Sequence, residues 1–257
     1  MNRDELNQLL KEMLREDACW RGWVPYSGLD TLKQGDYYFM GYNPGEGWDN
    51  GPLLETTNNL KDWSAYTQQC WRCCRTRCKH APLGECYSPC RHSPCEHMEC
   101  SGRLREDKRK RHQNNVIKLM RLLGREPERI FSANAIFIES SKAKDLQDAD
   151  RLWQKCWRVH QKFLALVRPK WVVCLGNGEE LSSFQLMKQM ATKPVQKVLN
   201  PCNPDCPPHY RTGKLLHASF DLGDAFPLND VNLLGVPHPT RFTISDSLEH
   251  FIVKNVR

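Results

Sequence analysis

The sequence predicts an α/β protein: a three-layer α/β/α sandwich around a central, mainly parallel four-stranded sheet, with a Cys-rich metal-binding insertion. Two observations lead to this architecture. Short apolar runs alternate with segments of helical period, the pattern of strands joined by crossover helices. In addition, eight of the 13 cysteines crowd into a stretch almost free of Ile, Leu and Val, which has too little apolar side chain to fold around a core of its own.

Taken in chain order, Leu6, Leu9, Leu10, Met13 and Leu14 recur at helical spacing and open the chain with an amphipathic helix. Asp36 leads into YYFMG, a short aromatic and apolar run ending at Gly41 that reads as a buried strand. Beyond the cysteines, a helix is expected over about 105–123, with Val116, Ile117, Leu119, Met120, Leu122 and Leu123 inward and Gly124 as its stop. IFSANAIFI, residues 130–138, is the second strand. A long helix over 149–167 ends before Pro169, and WVVCLG, residues 171–176, is the third strand. A helix through 181–190 follows it. KLLHASF and NLLGVPHP supply further strands, and SLEHFIVKNV closes with a helix. Ligands of such sheets bind beyond the carboxyl ends of the strands, which directs attention to the residues just after Met40, Ala133 and Val236.

Composition narrows the class. With 257 residues, eight Trp, nine Phe and seven Tyr, the chain has the material for a core and is no disordered tail. One domain over 1–257, with the insertion at 66–104, accounts for it, and a monomer is expected. No apolar run approaches the roughly 18 residues that cross a bilayer. The opening MNRDELNQLLKEMLRED lacks the apolar centre of a secretory signal, so a reducing, cytoplasmic location is expected.

The net charge of +7 is concentrated. From Cys70 to Arg111 there are 11 Lys or Arg and five Asp or Glu, so this stretch carries +6 and the rest of the chain +1. A basic segment on a near-neutral body is the footprint of a polyanion, DNA above all, with Arg105, Lys108 and Arg109 as candidate contacts. The cysteines of the same stretch form four spaced pairs: Cys70 and Cys73, Cys74 and Cys78, Cys86 and Cys90, Cys95 and Cys100. Two such pairs close one tetrahedral site, so eight thiolates suit two structural zinc ions or, alternatively, an iron–sulfur cluster with spares. Cys202 and Cys206 form a weaker pair in a Pro-rich loop, and Cys19, Cys156 and Cys174 read as core residues.

Three strand ends carry candidate chemistry. After YYFM comes Gly41-Tyr42-Asn43-Pro44-Gly45, a tight turn that presents Asn43 at the rim of the sheet. The second strand holds Asn134 between two alanines, an amide that must find partners such as a base edge. The last strand runs into His238-Pro239-Thr240-Arg241-Phe242, with His238 between two prolines.

GYNPG, VPHPTRF and the intervening FLALVRPKWVVCLGNGEEL together resemble the motifs of the uracil-DNA glycosylase superfamily. The resemblance spans most of residues 36–257 apart from the Cys-rich stretch. Asn in the first motif with His in the last is most similar to the single-strand-selective monofunctional branch, close to the mismatch-specific one. The iron–sulfur branch has a cysteine pair ahead of its first motif, which this chain lacks, so zinc becomes the favoured metal.

The resemblance implies that Asn43 orients the water that attacks the sugar C1′, and that His238 donates to the base O2 as negative charge develops. Gly41, Tyr42, Pro44 and Gly45 would line the substrate pocket. Asn134 would read the edge of a flipped base. Thr240, Arg241 and Phe242 would form the DNA-penetrating wedge. Where the strictly uracil-specific branch has a Tyr that blocks 5-substituted pyrimidines, this chain has Gly45. The expected activity is therefore monofunctional release of a 5-substituted pyrimidine, one candidate being glucosylated hydroxymethylcytosine of phage DNA, in antiphage defence. The alternatives are a uracil or 5-hydroxymethyluracil repair glycosylase, and a non-catalytic metal-dependent DNA-binding protein.

Overall fold

A computed structural model of the chain describes residues 1–45, 53–56, 61–69, 103, 105–197, 213–240, 244, 249–250, 252–253 and 256, without the side chains of 55–56 and 193–197. The eight clustered cysteines, Cys202, Cys206, Arg241 and Phe242 lie outside the described residues. No described helix is long and apolar enough to cross a membrane.

Among the described residues, six helices and six strands build the body. Helix α1 (Arg3–Leu14) starts with a reciprocal cap: the Glu5 backbone N–H donates to Asn2 Oδ1 at 2.9 Å and the Asn2 N–H to Glu5 Oε2 at 2.8 Å. Strand β1 (Tyr37–Gly41) follows, then the short helices α2 (Leu53–Thr56) and α3 (Ala65–Gln68). Next come α4 (Arg111–Leu122), β2 (Phe131–Asn134) and α5 (Ala149–Val167). The C-terminal part contains β3 (Trp171–Leu175), α6 (Ser183–Met190), β4 (Ala191–Lys197), β5 (Lys214–Phe220) and β6 (Leu228–Val236).

These strands form one sheet in the order β2-β1-β3-β6-β5-β4. The first four are mutually parallel; β5 and β4 extend the sheet antiparallel from β6. The expected parallel four-strand core is therefore present, within a sheet of six strands. The additional outer strand is ATKPVQK, whose Pro194 argues against a strand in sequence. Proline is tolerated because β4 is an edge, and its ladder is irregular between Thr192 and Val195.

Period-two alternation along the strands separates two cores. Tyr38 and Met40 of β1 and Val172 and Cys174 of β3 face one side, where α1, α5 and α6 pack with Leu6, Leu10, Trp153, Phe163 and Phe184. Phe39, Val173, Leu175, Leu234 and Val236 face the other, against Val116, Ile117, Leu119 and Met120 of α4. Those are the three layers.

Several boundaries differ from the sequence reading. The helix expected from 105 begins at Arg111, after a single 3₁₀ turn over Glu106–Lys108. The second strand stops at Asn134 instead of running to 138, which places that amide at the strand end rather than in its middle. Of the closing helix, Glu249, His250, Ile252 and Val253 are helical, and the others lie outside the described residues except the turn residue Val256. His160, with no motif around it, is a core residue: its Nε2–H donates to Ala135 O at 2.9 Å and Nδ1 accepts the Tyr38 hydroxyl at 2.6 Å.

Candidate active site

Because β2, β1, β3 and β6 run parallel, their carboxyl ends share one edge of the sheet. Registers align the ends: Gly41 lies opposite Asn134, Met40 opposite Cys174, and Leu175 opposite Val236. Chain order reverses at β1, whose neighbours are the two strands that follow it, so the switch point of this sheet lies at the β1 end. The GYNPG turn leaves the sheet there. Asn134 stands on one side of it, and His238 follows β6 on the other side, one strand beyond β3.

The turn is stitched to the segment after β2. The N–H groups of Ala135, Ile136 and Ser140 donate to the carbonyls of Gly41, Tyr42 and Pro44 at 2.9, 2.9 and 3.1 Å, and Gly45 bridges Ser140 in parallel. Tyr42 and Pro44 are buried, Asn43 is half-buried and Gly45 is exposed. Asn43 Nδ2 donates to Ser140 Oγ at 2.8 Å, to Pro44 O at 3.0 Å and to Ile138 O at 3.3 Å. Carbonyls only accept, so they fix which end of the amide is nitrogen. The side chain keeps Oδ1 as its acceptor, with no partner among the described residues. Ser140 in turn donates to Lys142 O at 2.9 Å.

Asn134 is 6% exposed, and its Nδ2 is a buried donor without a hydrogen-bond partner among the described residues. Its Oδ1 packs against Gly41 so closely that a Cβ there would overlap it. Buried Tyr26 lies beside the same side chain; burial pushes its phenol up to about 12, and the Asn134 amide offsets part of the shift. Tyr26 therefore stays protonated at neutral pH.

His238 is exposed, while Pro239 behind it is buried. The Thr240 N–H donates to His238 Nδ1 at 3.3 Å, which leaves the proton of the neutral ring on Nε2. The turn is anchored from α4: buried Asn115 donates from Nδ2 to Pro239 O at 2.7 Å, and His112 Nδ1 lies 3.2 Å from Thr240 Oγ1. The His112 ring meets His238 edge-on, with centroids 5.4 Å apart, and lies nearly parallel to Tyr66 at 6.1 Å. Burial first, and the nearby His238 second, hold this half-buried imidazole well below its usual range, so it is neutral.

Comparison finds no match to this chain among family models, curated proteins or solved structures. The residues themselves therefore carry the functional reading. Of the residues singled out in sequence, Asn43, Asn134 and His238 share one edge of the sheet. Arg105 is exposed and Lys108 partly so, and both pair with Asp107 at 3.3 Å in the turn ahead of α4. Arg109, in the turn ahead of α4, is 9% exposed.

Sequence reasoning missed Ser140, Asn115, His112 and Tyr26. A signal existed for the helix pair: HQNN puts four polar residues at the start of α4, ahead of its apolar stripe, and of these Gln113 and Asn115 are buried. Gln113 ties α4 to α3, donating from Nε2 to Ala65 O at 3.2 Å and to Gln69 O at 2.9 Å. Nothing in the sequence marks Tyr26.

Proposed function

We propose that this protein is a monofunctional DNA glycosylase that hydrolyses the N-glycosidic bond of a 5-substituted pyrimidine and leaves an abasic site. The observation that carries the reading is that Asn43 and His238 both stand at the carboxyl edge of the sheet, each with a polar atom oriented by its neighbours. Asn43 has its amide NH₂ tied down, and among the described residues its carbonyl has no donor, so it would accept from water. His238 has Nδ1 occupied and carries its proton on Nε2, ready to donate to the base O2 as charge builds there. Neither group is a strong base. The rate would come from stabilising the departing base and the oxocarbenium-like sugar with dipoles fixed beforehand.

Asn134 supports base recognition. An unsatisfied buried donor costs about 1–3 kcal/mol, a cost removed when an extruded base brings an acceptor to it. Gly45 supports tolerance at C5: a side chain built there would meet nothing within 4 Å, so the position is open. The basic stretch, with a cysteine-bound zinc as its scaffold, would hold the DNA backbone, and Thr240, Arg241 and Phe242 would fill the vacated stack.

The narrower proposal is glucosylated hydroxymethylcytosine in phage DNA, with defence of a bacterial cytoplasm as its setting. Incubation with glucosylated and unglucosylated phage DNA, scored as alkali-labile sites, tests it. Breaks confined to the glucosylated DNA support it, and equal inertness toward both overturns it.

A further inference from the structure

Helix α4 reaches the His238 turn through two side chains, and one of them touches the ring itself. We propose that His112 is a positioning residue for His238, setting the orientation and tautomer of that imidazole through Thr240 and through ring contact; this rests on the glycosylase reading above. Three observations meet in the one side chain. His112 Nδ1 lies 3.2 Å from Thr240 Oγ1, and the backbone N–H of that same threonine donates to His238 Nδ1 at 3.3 Å. The His112 ring stands edge-on to His238 at 5.4 Å and 68°, which limits rotation of His238 on that side. Behind it, Tyr66 lies almost parallel to His112 at 8°, and Tyr66 is buried and stacked on Tyr26 at 5.8 Å, so His112 has a rigid backstop.

The consequence is chemical. A His238 that could flip or change tautomer would offer a lone pair in place of an N–H to the base O2, and the stabilised anion would be lost. His112 prevents this by holding Thr240 where its N–H meets Nδ1. Asn115 fixes the backbone of the turn at Pro239, so its role is separate: it places the loop, and His112 sets the ring. The aromatic series Tyr26, Tyr66, His112 and His238 also links the residue beside Asn134 to the donor on the opposite side of the site.

Three variants test the proposal: His112→Ala, His112→Asn and Thr240→Val. Asparagine places polar atoms near the position of Nδ1, whereas alanine removes them. In single-turnover base release, His112→Ala should lower the maximal rate about tenfold to a hundredfold, the scale of a misplaced catalytic group, with DNA affinity unchanged within about twofold. His112→Asn should recover most of that rate. Independently of activity, nitrogen-15 NMR of the His238 ring should report the Nε2–H tautomer in the unmodified protein and a mixture in His112→Ala and in Thr240→Val. Circular dichroism melts keep the test open: if His112→Ala does not fold, Thr240→Val, at an exposed position, decides by the same ring signals. An unmodified protein that releases no base from any substrate overturns the glycosylase reading and leaves the NMR comparison to judge His112. An unchanged His238 tautomer in both disruptive variants, or equal rate losses in His112→Ala and His112→Asn, overturns the positioning role.

Discussion

A methyl group added at Gly41 should report on the seating of the Asn134 amide, the side chain proposed to read the base, apart from Asn43 and His238. Gly41 and Asn134 are register partners across β1 and β2, and Asn134 Oδ1 occupies the space a Cβ at Gly41 would take. Gly41 has an ordinary backbone angle, so Gly41→Ala acts by steric overlap and not by backbone strain. Neither backbone retreats easily, since both strands belong to the parallel ladder. Overpacking of this kind costs about 1–3 kcal/mol, or roughly 3–10 °C in Tm for a chain of this length. Asn134→Ala alone should cost a similar amount by removing a buried side chain that packs on Gly41 and lies beside Tyr26. In the double variant the methyl enters space the amide has vacated, so the cost of Gly41→Ala should fall to near zero and the pair should show a coupling of about 1–3 kcal/mol. Urea denaturation of the four proteins measures this. Additivity within about 0.5 kcal/mol would refute the claim that Asn134 is seated on Gly41.

Ser140→Ala removes the shortest bond to the Asn43 amide and should lower the rate of base release about fivefold to tenfold, by single-turnover assay, with little change in DNA affinity. Burial pushes His160 down to about 4, so the unfolded chain takes up the proton first and stability falls as pH drops from about 6.5 toward 4. The share due to His160 should reach about 2 kcal/mol at pH 5 relative to pH 7.5, measured from urea midpoints as the amount by which the loss shrinks in a His160→Gln variant; half-buried His112, depressed for the same reason, keeps its own share there. The insertion should carry about two zinc ions per chain by elemental analysis, given eight thiolates. Colourless protein with neither zinc nor iron would contradict this. Asn115→Ala should destabilise the protein by about 1–2 kcal/mol and slow base release, because Pro239 O loses its buried donor.

Much of the fold was legible because it rests on periodicity. The helix over Ala149–Val167 and the strand YYFMG match the apolar pattern, and parallel strands at both sides of β1 follow from the alternation of elements. Strand β4 was hidden because Pro194 and Lys197 look nothing like a strand, and only its place at the sheet edge permits them. The end of β2 was overrun because residues 135–138 are as apolar as a strand, yet their backbone is spent on the carbonyls of Gly41 and Tyr42 and on isolated bridges to residues such as Gly22. Within the site, Asn43, Asn134 and His238 stood out by their place at strand ends. Ser140, His112 and Tyr26 did not, since each acts through a contact between segments far apart in sequence, 97 residues in the case of Ser140 and Asn43.

The central claim is that Asn43 and His238 release a base, and Asn43→Ala tests it most directly. Duplex and single-stranded oligonucleotides, each with one modified pyrimidine, are incubated with the unmodified protein and the variant, and free base is measured by mass spectrometry beside DNA affinity. Stoichiometric free base and an abasic site are expected from the unmodified protein, and DNA binding without base release from Asn43→Ala. Equal release by both proteins, or DNA binding with no free base from any substrate, would contradict it.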